Sequence, residues 1–367
     1  MFFLSFLLVS SLAFSNWMDT LIAQELKPYY ERGITQQDLD DTWHHKEHPV
    51  AHFLMARFCI KDNVLSVEHP HFESEFIHGR CESIKIFLKN MCLKRKMPDV
   101  DFILCLGDAM DLGINFVPRP DTPPMVYKAP IFVLSKKKTT PNTIIFPSFE
   151  IVGAMDAYRR ILKLNQTHPW AHKKEQLFWR GSTTGCLRDE KNQLVGISTE
   201  NWQRIPRVVL ALIGKQHPEL INAHFIQVVQ HHESDFPSFF CSLFPLKPYA
   251  DLEEHLCYKY LIDVDGNTTT YRGYQFLFSN SLLFKQASDE FLWYYDAWQP
   301  FVHFIPVKVD FSDLLEKILW AINNDKKAEE IANRATRLAL DVFCVENIEE
   351  FTHRLLCQYQ SCLRDSL

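Results

Sequence analysis

The chain has 367 residues, of which 47% are hydrophobic and 13% aromatic, and it carries a formal net charge of −6. That composition supplies a large core and excludes a disordered chain, and the length sets either two domains or one large one. The mildly acidic balance creates no demand for nucleic acid, so the Lys94-Arg95-Lys96 and Lys136-Lys137-Lys138 clusters read as solvated helix ends or loops. Ten cysteines occur without a CxxC pair, which removes zinc ribbons and thioredoxin-type motifs. Buried free thiols and scattered disulfides both fit their spacing.

In chain order, Phe2 to Met18 is uncharged but short for a membrane span, and no Lys or Arg precedes it. A cleaved signal, a short anchor over 1–18 and a buried first helix are all compatible with it. Residues 19–60 read as mostly helical with loops. Ile84 to Leu93 is an amphipathic helix stopped by Pro98, and Val100 to Leu106 is a buried strand ending at Gly107-Asp108. Ile131 to Leu134 is a short strand, 139–148 is rich in turn residues, and Ala154 to Leu164 is helical. Strands follow at Gln176–Trp179, His224–Val229, Tyr258–Val264, Ser281–Lys285 and His303–Val307. Helices fill Arg204–Ile213, a stretch from about Tyr271, 311–343 and 346–363. Alternating strands and helices predict an α/β protein with parallel sheets. The expected organisation is two Rossmann-like domains facing a cleft, 19–168 and 169–345, with 346–367 as a helix packing back on the core.

Two strand ends carry the chemistry. Phe178-Trp179 runs into Arg180-Gly181-Ser182-Thr183-Thr184-Gly185, and Tyr260–Val264 runs into Asp265-Gly266-Asn267-Thr268-Thr269-Thr270 with Arg272 opening a helix. Ligands of parallel α/β sheets bind beyond the carboxyl ends of strands, where small residues let backbone N–H groups approach phosphate. A guanidinium in such a place grips a diphosphate. One such loop alone reads slightly better as an ordinary turn with a surface arginine; two of the same design fit a nucleotide diphosphate. Asp263-Val264-Asp265 resembles the DxD pair that holds a divalent cation, but alternate strand residues face opposite ways, and no metal is expected. Asp108 reads as a general base or, on local sequence, as the cap of a following turn, with Asp111 as competitor. His44-His45-Lys46-Glu47-His48 matches a zinc-protease pattern, yet Pro49 disfavours the helix that pattern needs. Trp293, Tyr294, Tyr295 and Trp298 read as helix packing against a core rather than a sugar platform.

With these residues assembled, the sequence resembles a family of glycosyltransferases: the Rumi-type protein O-glucosyltransferases, fungal capsule-associated xylosyltransferases and LpsA-type lipopolysaccharide glycosyltransferases. The resemblance is densest in CYKYLIDVDGNTTTYRGYQFLF from Cys257, in the segment SLLFKQASDEFLWYYDAWQPFVHFIPVKVD and in AEEIANRATRLA. FWRGSTTG, GRCESIKIFL, MPDVDFILCLGD, KAPIFVLSKKK and IIFPSFE extend it over roughly residues 75–340. It implies a GT-B arrangement and an inverting transfer from a UDP-sugar with no cofactor or metal required. It places Arg180, Gly181, Ser182 and Thr183, with Gly266, Asn267, Thr268, Thr269, Thr270 and Arg272, at the donor, and Asp108 as the base. Phe146, Pro147, Ser148 and Phe149 would line the acceptor side. Asp108 follows Leu106-Gly107 and precedes Ala109-Met110, unlike the Thr-Arg and Tyr-Pro of the protein-modifying branch, a departure that bears on the acceptor.

The expected activity is therefore transfer of glucose or xylose to a hydroxyl of a glycan, lipopolysaccharide or protein. Its rivals are a metal-dependent enzyme using Asp263 and Asp265, a non-catalytic sugar-nucleotide or glycan-binding protein, and a zinc hydrolase on the histidines. Sequons occur at Asn165 and at Asn267; a glycan on the second would block the donor loop, which favours the cytoplasmic side, with association at a membrane through residues 2–18; a secretory lumen is the alternative.

Overall fold

The computed structural model describes residues 2–44, 54–72, 74–108, 127–147, 154–185, 187–188, 194–231, 233–270 and 272–364. The chain opens with helices α1 (Phe2–Arg32) and α2 (Gln36–Trp43), the second started by a capping box between Thr35 and Asp38. Strands β1 (Met55–Lys61) and β2 (Val64–Glu68) form a hairpin. Its turn residues Asp62 and Asn63 both hold positive φ (49° and 65°), the geometry of a two-residue turn that matches strand twist. Helix α3 (Glu75–Lys94) then leads to β3 (Val100–Cys105), β4 (Ile131–Val133), β5 (Lys136–Lys137) and β6 (Thr143–Ile145). The first sheet runs β2-β1-β3-β4-β6. Its β3-β4-β6 part is parallel, but β1 is antiparallel to both neighbours, so this sheet is mixed. The helical expectation for 19–60 fails at β1. There a Met-Ala-Arg-Phe-Cys-Ile-Lys run buries Phe58 and Ile60 on one face by strand alternation.

The second half contains α4 (Ala154–Thr167), β7 (Lys174–Ser182), the ribbon β8 (Leu187–Arg188) and β9 (Leu194–Val195), α5 (Pro206–Gln216) and β10 (Ile221–Gln227). It continues with α6 (Phe236–Leu243), α7 (Leu252–Leu256), β11 (Tyr258–Asp263), α8 (Arg272–Leu277), β12 (Leu282–Gln286), β13 (Glu290–Phe291) and β14 (Ile305–Val307). Helices α9 (Leu314–Asn323), α10 (Asp325–Val342) and α11 (Val345–Gln360) close the chain. The sheet order is β10-β7-β11-β12-β14 and every pairing is parallel. All six residues of β11 are buried, as a central parallel strand covered on both faces requires. Leu261 and Phe178 face one apolar core, Tyr260, Ile262 and Leu177 the other.

The halves share the first of these cores. Strand β5 pairs antiparallel with β13 (Lys137 opposite Glu290, Lys136 opposite Phe291), which ties the two sheets together near their carboxyl edges. Helix α11 packs on α1 and β3, with Lys94–Glu349 and Arg95–Glu350 ion pairs. Helix α4 lies on α7 and α8, where Tyr158 stacks on Phe278 and Asn165 donates to the Phe278 carbonyl at 2.6 Å. Trp293 and Tyr294 are fully buried, but the aromatic run sits in the turn after β13 and a short 3-10 segment (Tyr295–Ala297), not in an α-helix. No helix among the described residues is long and apolar enough to cross a membrane.

Candidate active site

In strand order by sequence, the second sheet reads 2-1-3-4-5. Connections from β7 and from β11 leave in opposite directions, and the crevice between their carboxyl ends is where such sheets take ligands. The two loops singled out from the sequence, Arg180–Gly185 after β7 and Asp265–Thr270 after β11, are the walls of that crevice.

A residue absent from the sequence-based list stands between them. Arg207, in the first turn of α5, is buried and donates from Nε to the Asp265 carbonyl (3.1 Å), from Nη2 to the Val264 carbonyl (3.3 Å) and from Nη1 to the Ser182 carbonyl (3.2 Å) and the Thr184 hydroxyl. Gly266 leaves room for it, since a Cβ there would lie 2.8 Å from Arg207 Nη2 and 2.9 Å from Thr184 Oγ1. Arg272 donates from Nη1 to the Arg180 carbonyl at 2.5 Å. The Arg180 guanidinium lies over the Phe178 ring at 4.3 Å and donates to the Trp179 and Asn222 carbonyls and to Asn222 Oδ1. Arg180 and Arg272 thus meet as expected, but through a backbone oxygen.

All three guanidiniums are bonded to neutral oxygens, and none has a carboxylate within ion-pair distance among the described residues. Burial pushes the pKa of each downward, and the Arg272 charge adds to this for Arg207. Because a guanidinium stays protonated in proteins, that cost becomes a demand for an anion. Arg207 at a helix N-terminus is also on the wrong side of the helix dipole.

Hydroxyls divide into two groups. Thr183 is wholly buried; its Oγ1 donates to the Val229 carbonyl and accepts from the Val229 N–H, both at 2.8 Å. Thr270 donates to Asp263 Oδ1. These two shape the loops. Among the described residues Ser182 Oγ has a 3.4 Å contact to the Thr184 hydroxyl. Thr268 and Thr269 are buried in the second loop, whose turn is closed by Gly266 N–H donating to the Thr268 carbonyl at 2.9 Å.

The carboxylate pair faces a lysine. Lys285 Nζ, on β12, is 3.1 Å from Asp263 Oδ2 and 4.0 Å from Asp265 Oδ1, under the Tyr295 ring. Burial pushes the Asp265 carboxyl up, and the neighbouring carboxylates, chiefly Asp263, hold Lys285 well above its usual range against the opposing effect of burial. Beside the strand ends, a cavity of about 360 Å³ is lined by Arg180, Asn222, His224, Lys247, Pro248 and Glu254.

Asp108 lies just past β3. Arg80 of α3 donates from Nη2 to Asp108 Oδ1 at 2.9 Å and from Nη1 to the Leu106 carbonyl at 2.6 Å, and Ser135 Oγ donates to the Asp108 carbonyl at 3.0 Å. Ser135 immediately precedes β5, whose partner β13 follows Ser288, a hydrogen-bonding neighbour of Asp265. The carboxyl ends of both sheets are therefore brought to one side of the molecule. Phe146 does not line an acceptor site; it is fully buried against Phe102 and Phe132, and Pro147 is buried beside it. Ser148, Phe149, Asp111, His45 and His48 lie outside the described residues, and no group of three metal-ligating side chains occurs among those described. Arg207 and Arg80 were both legible as arginines, but nothing in their local sequence marks them as buried.

Among known proteins, human protein O-glucosyltransferase 3 is 27% identical over 78% of this chain and 51% of its own length. The Drosophila melanogaster O-glucosyltransferase rumi is 24% identical over 94% of this chain and 76% of its own. The chain spans about half the length of the human relative. The solved structure of Anabaena HepE with UDP-glucose is loosely similar, with a TM-score of 0.38 and 14% identity over 63% of this chain and 64% of that one. The profile of Glycosyl transferase family 90 matches residues 16–366, and the chain belongs to that family.

Proposed function

We propose that the protein is an inverting glycosyltransferase that takes a UDP-sugar, glucose first and xylose second, and transfers the sugar to a hydroxyl of a protein, glycan or lipopolysaccharide acceptor. The observation that carries this is the cluster of buried Arg180 and Arg207 with half-buried Arg272 at the switch point of a parallel sheet, bonded among the described residues to neutral oxygens. A diphosphate supplies the missing negative charge, and charge developing on the leaving UDP is stabilised by donors already in place. The adjoining cavity, polar and flanked by Glu254 and Asn222, offers hydrogen-bond partners for the nucleoside. Asp108 takes the acceptor proton as the acceptor oxygen attacks the anomeric carbon and the bond to the diphosphate breaks.

In this reading no metal bridges the donor, because the ammonium of Lys285 already stands between Asp263 and Asp265. The relatives named as O-glucosyltransferases support glucose and a protein hydroxyl; the residues around Asp108 differ from that branch and leave glycans as the second acceptor class. A glycan on Asn165 would displace its bond to Phe278, and one on Asn267 would fill the donor loop, which supports a cytoplasmic setting over a lumen that modifies sequons.

The test is calorimetric titration of UDP and a panel of UDP-sugars, with chelator present, into wild type and Arg180→Ala. Tight binding by wild type with one sugar preferred, and its loss in the variant, is expected. A folded wild type that ignores UDP would remove the proposal, and a requirement for added Mn²⁺ or Mg²⁺ would restore the metal-dependent alternative.

A further inference from the structure

Resting on the assignment of Asp108 as base, we infer that Arg80 is the residue that positions the catalytic carboxylate. Its side chain reaches the strand end from α3 and makes a fork: Nη1 to the Leu106 carbonyl at 2.6 Å, Nη2 to Asp108 Oδ1 at 2.9 Å. The Phe76 ring, one turn earlier on α3, lies 4.0 Å from the guanidinium carbon and closes its face. Arg80 is 4% exposed, whereas the Asp108 side chain is 27% exposed. The pair is therefore asymmetric, with a buried cation and a partly exposed carboxylate.

That asymmetry bears on the reaction. A rigid planar fork that holds a backbone carbonyl and a carboxylate oxygen at once fixes the carboxylate plane relative to β3. Ser135 Oγ holds the backbone of the same residue at 3.0 Å, so Asp108 is secured at both ends. With Oδ1 held by Arg80, the orientation of the whole carboxylate toward the acceptor is set from the Arg80 side. In the transfer the acceptor O–H proton goes to the Asp108 carboxylate, the acceptor oxygen bonds to the anomeric carbon, and the electron pair of the breaking C–O bond leaves with UDP. The proton then passes to solvent. Arg80 takes no proton; it sets where the carboxylate stands, and a displacement of about 1 Å at such a group costs about 10²-fold in rate. An arginine placed only to fill a core would stabilise the fold without changing this step.

The experiment uses the full chain and water as the acceptor: UDP release from UDP-glucose alone, with UDP affinity measured in parallel. Arg80→Met is expected to lower kcat by about 10²-fold with the KM for UDP-glucose and the affinity for UDP within about twofold of wild type. Arg80→Lys keeps the charge without the fork and is expected to fall between the two. Added guanidinium is expected to restore part of the rate of Arg80→Ala and none of the rate of Asp108→Asn. Should Arg80→Met destabilise the chain, the Lys variant and the guanidinium response decide the matter. Arg80 variants that turn over at the wild-type rate beside an inactive Asp108→Asn would overturn the inference alone. Loss of UDP affinity in a folded Arg80 variant would also overturn it, by placing the effect at the donor. An Asp108→Asn enzyme with wild-type turnover would instead remove the base assignment on which it rests.

Discussion

Arg272 reaches from the start of the helix after β11 to the backbone carbonyl of Arg180 at the end of β7, at 2.5 Å. The contact closes the switch-point crevice from one side, and Arg207 closes it from the other by holding carbonyls of both loops. Two strand ends that share no sequence neighbours thus become one site through arginines donating to backbone oxygens.

Removing Arg207 should separate binding from stability. Arg207→Met is expected to weaken UDP binding by about 10²-fold, the scale of losing charge-assisted hydrogen bonds to an anion. The melting temperature without ligand should stay level or rise, because a buried cation beside Arg272 is gone. Calorimetry and thermal melts with and without UDP read both; a large fall in unliganded melting temperature with normal UDP affinity would make Arg207 a purely structural residue.

Gly266→Ala tests the same clamp from the other side. The new Cβ meets Arg207 Nη2 and Thr184 Oγ1 inside 3 Å, so the guanidinium must shift although the backbone need not. Overpacking of this kind costs about 1–3 kcal/mol. The expected result is UDP affinity about tenfold lower with a small change in melting temperature, and unchanged affinity would show that the loop opens without moving Arg207.

Lys285→Met leaves two buried carboxylates without their cation. Breaking a buried pair by removing one partner costs about 3–5 kcal/mol, and one carboxyl takes up a proton in response. The variant should therefore melt well below wild type, and the added change Asp263→Asn should recover part of the loss. Melting curves at neutral pH check this; a single variant as stable as wild type would mean that Lys285 does not neutralise the pair.

Stability should fall in mild acid through His255. Burial between Phe178 and Phe276 pulls this imidazole down to about 4, and its Nδ1–H donates to the Asp251 carbonyl at 2.7 Å. Between the ordinary value near 6.5 and about 4 the unfolded chain binds the proton and the folded chain does not. Stability is thus full above pH 6.5 and declines as pH drops toward 4, by on the order of 3 kcal/mol. His303, also pulled down to about 4 by burial, adds in the same direction. His255→Asn, which retains a donor near Nδ1, should flatten the slope of denaturant midpoint against pH between 6.5 and 4; an unaltered slope would locate the effect elsewhere.

Long apolar strands and strongly periodic helices were legible from residues alone. Tyr258–Asp263, Val100–Cys105 and the helices from 314 onward stand where hydrophobic pattern places them, and both strand-end loops were readable as loops because runs of Gly, Ser and Thr follow a buried strand. The hairpin at 55–68 was missed although Asp62-Asn63 is a turn pair, because one half-buried strand face gives only a few alternating residues. The aromatic run at Trp293 was legible as core but not as a turn, since burial depends on what covers a segment and not on its own period.

What the sequence by itself determined is the α/β class and the places where small polar loops follow buried strands, because each follows from neighbours within about ten residues. What only the tertiary structure decided is which charges meet. Arg207 and Arg80 are single arginines on helices, and both are buried against strand ends outside their own helices. Lys285 stands between Asp263 and Asp265 only because β12 pairs with β11 in one register, Asp263 opposite Lys285. Pairings of this kind are set by strand order and register, which local pattern does not encode.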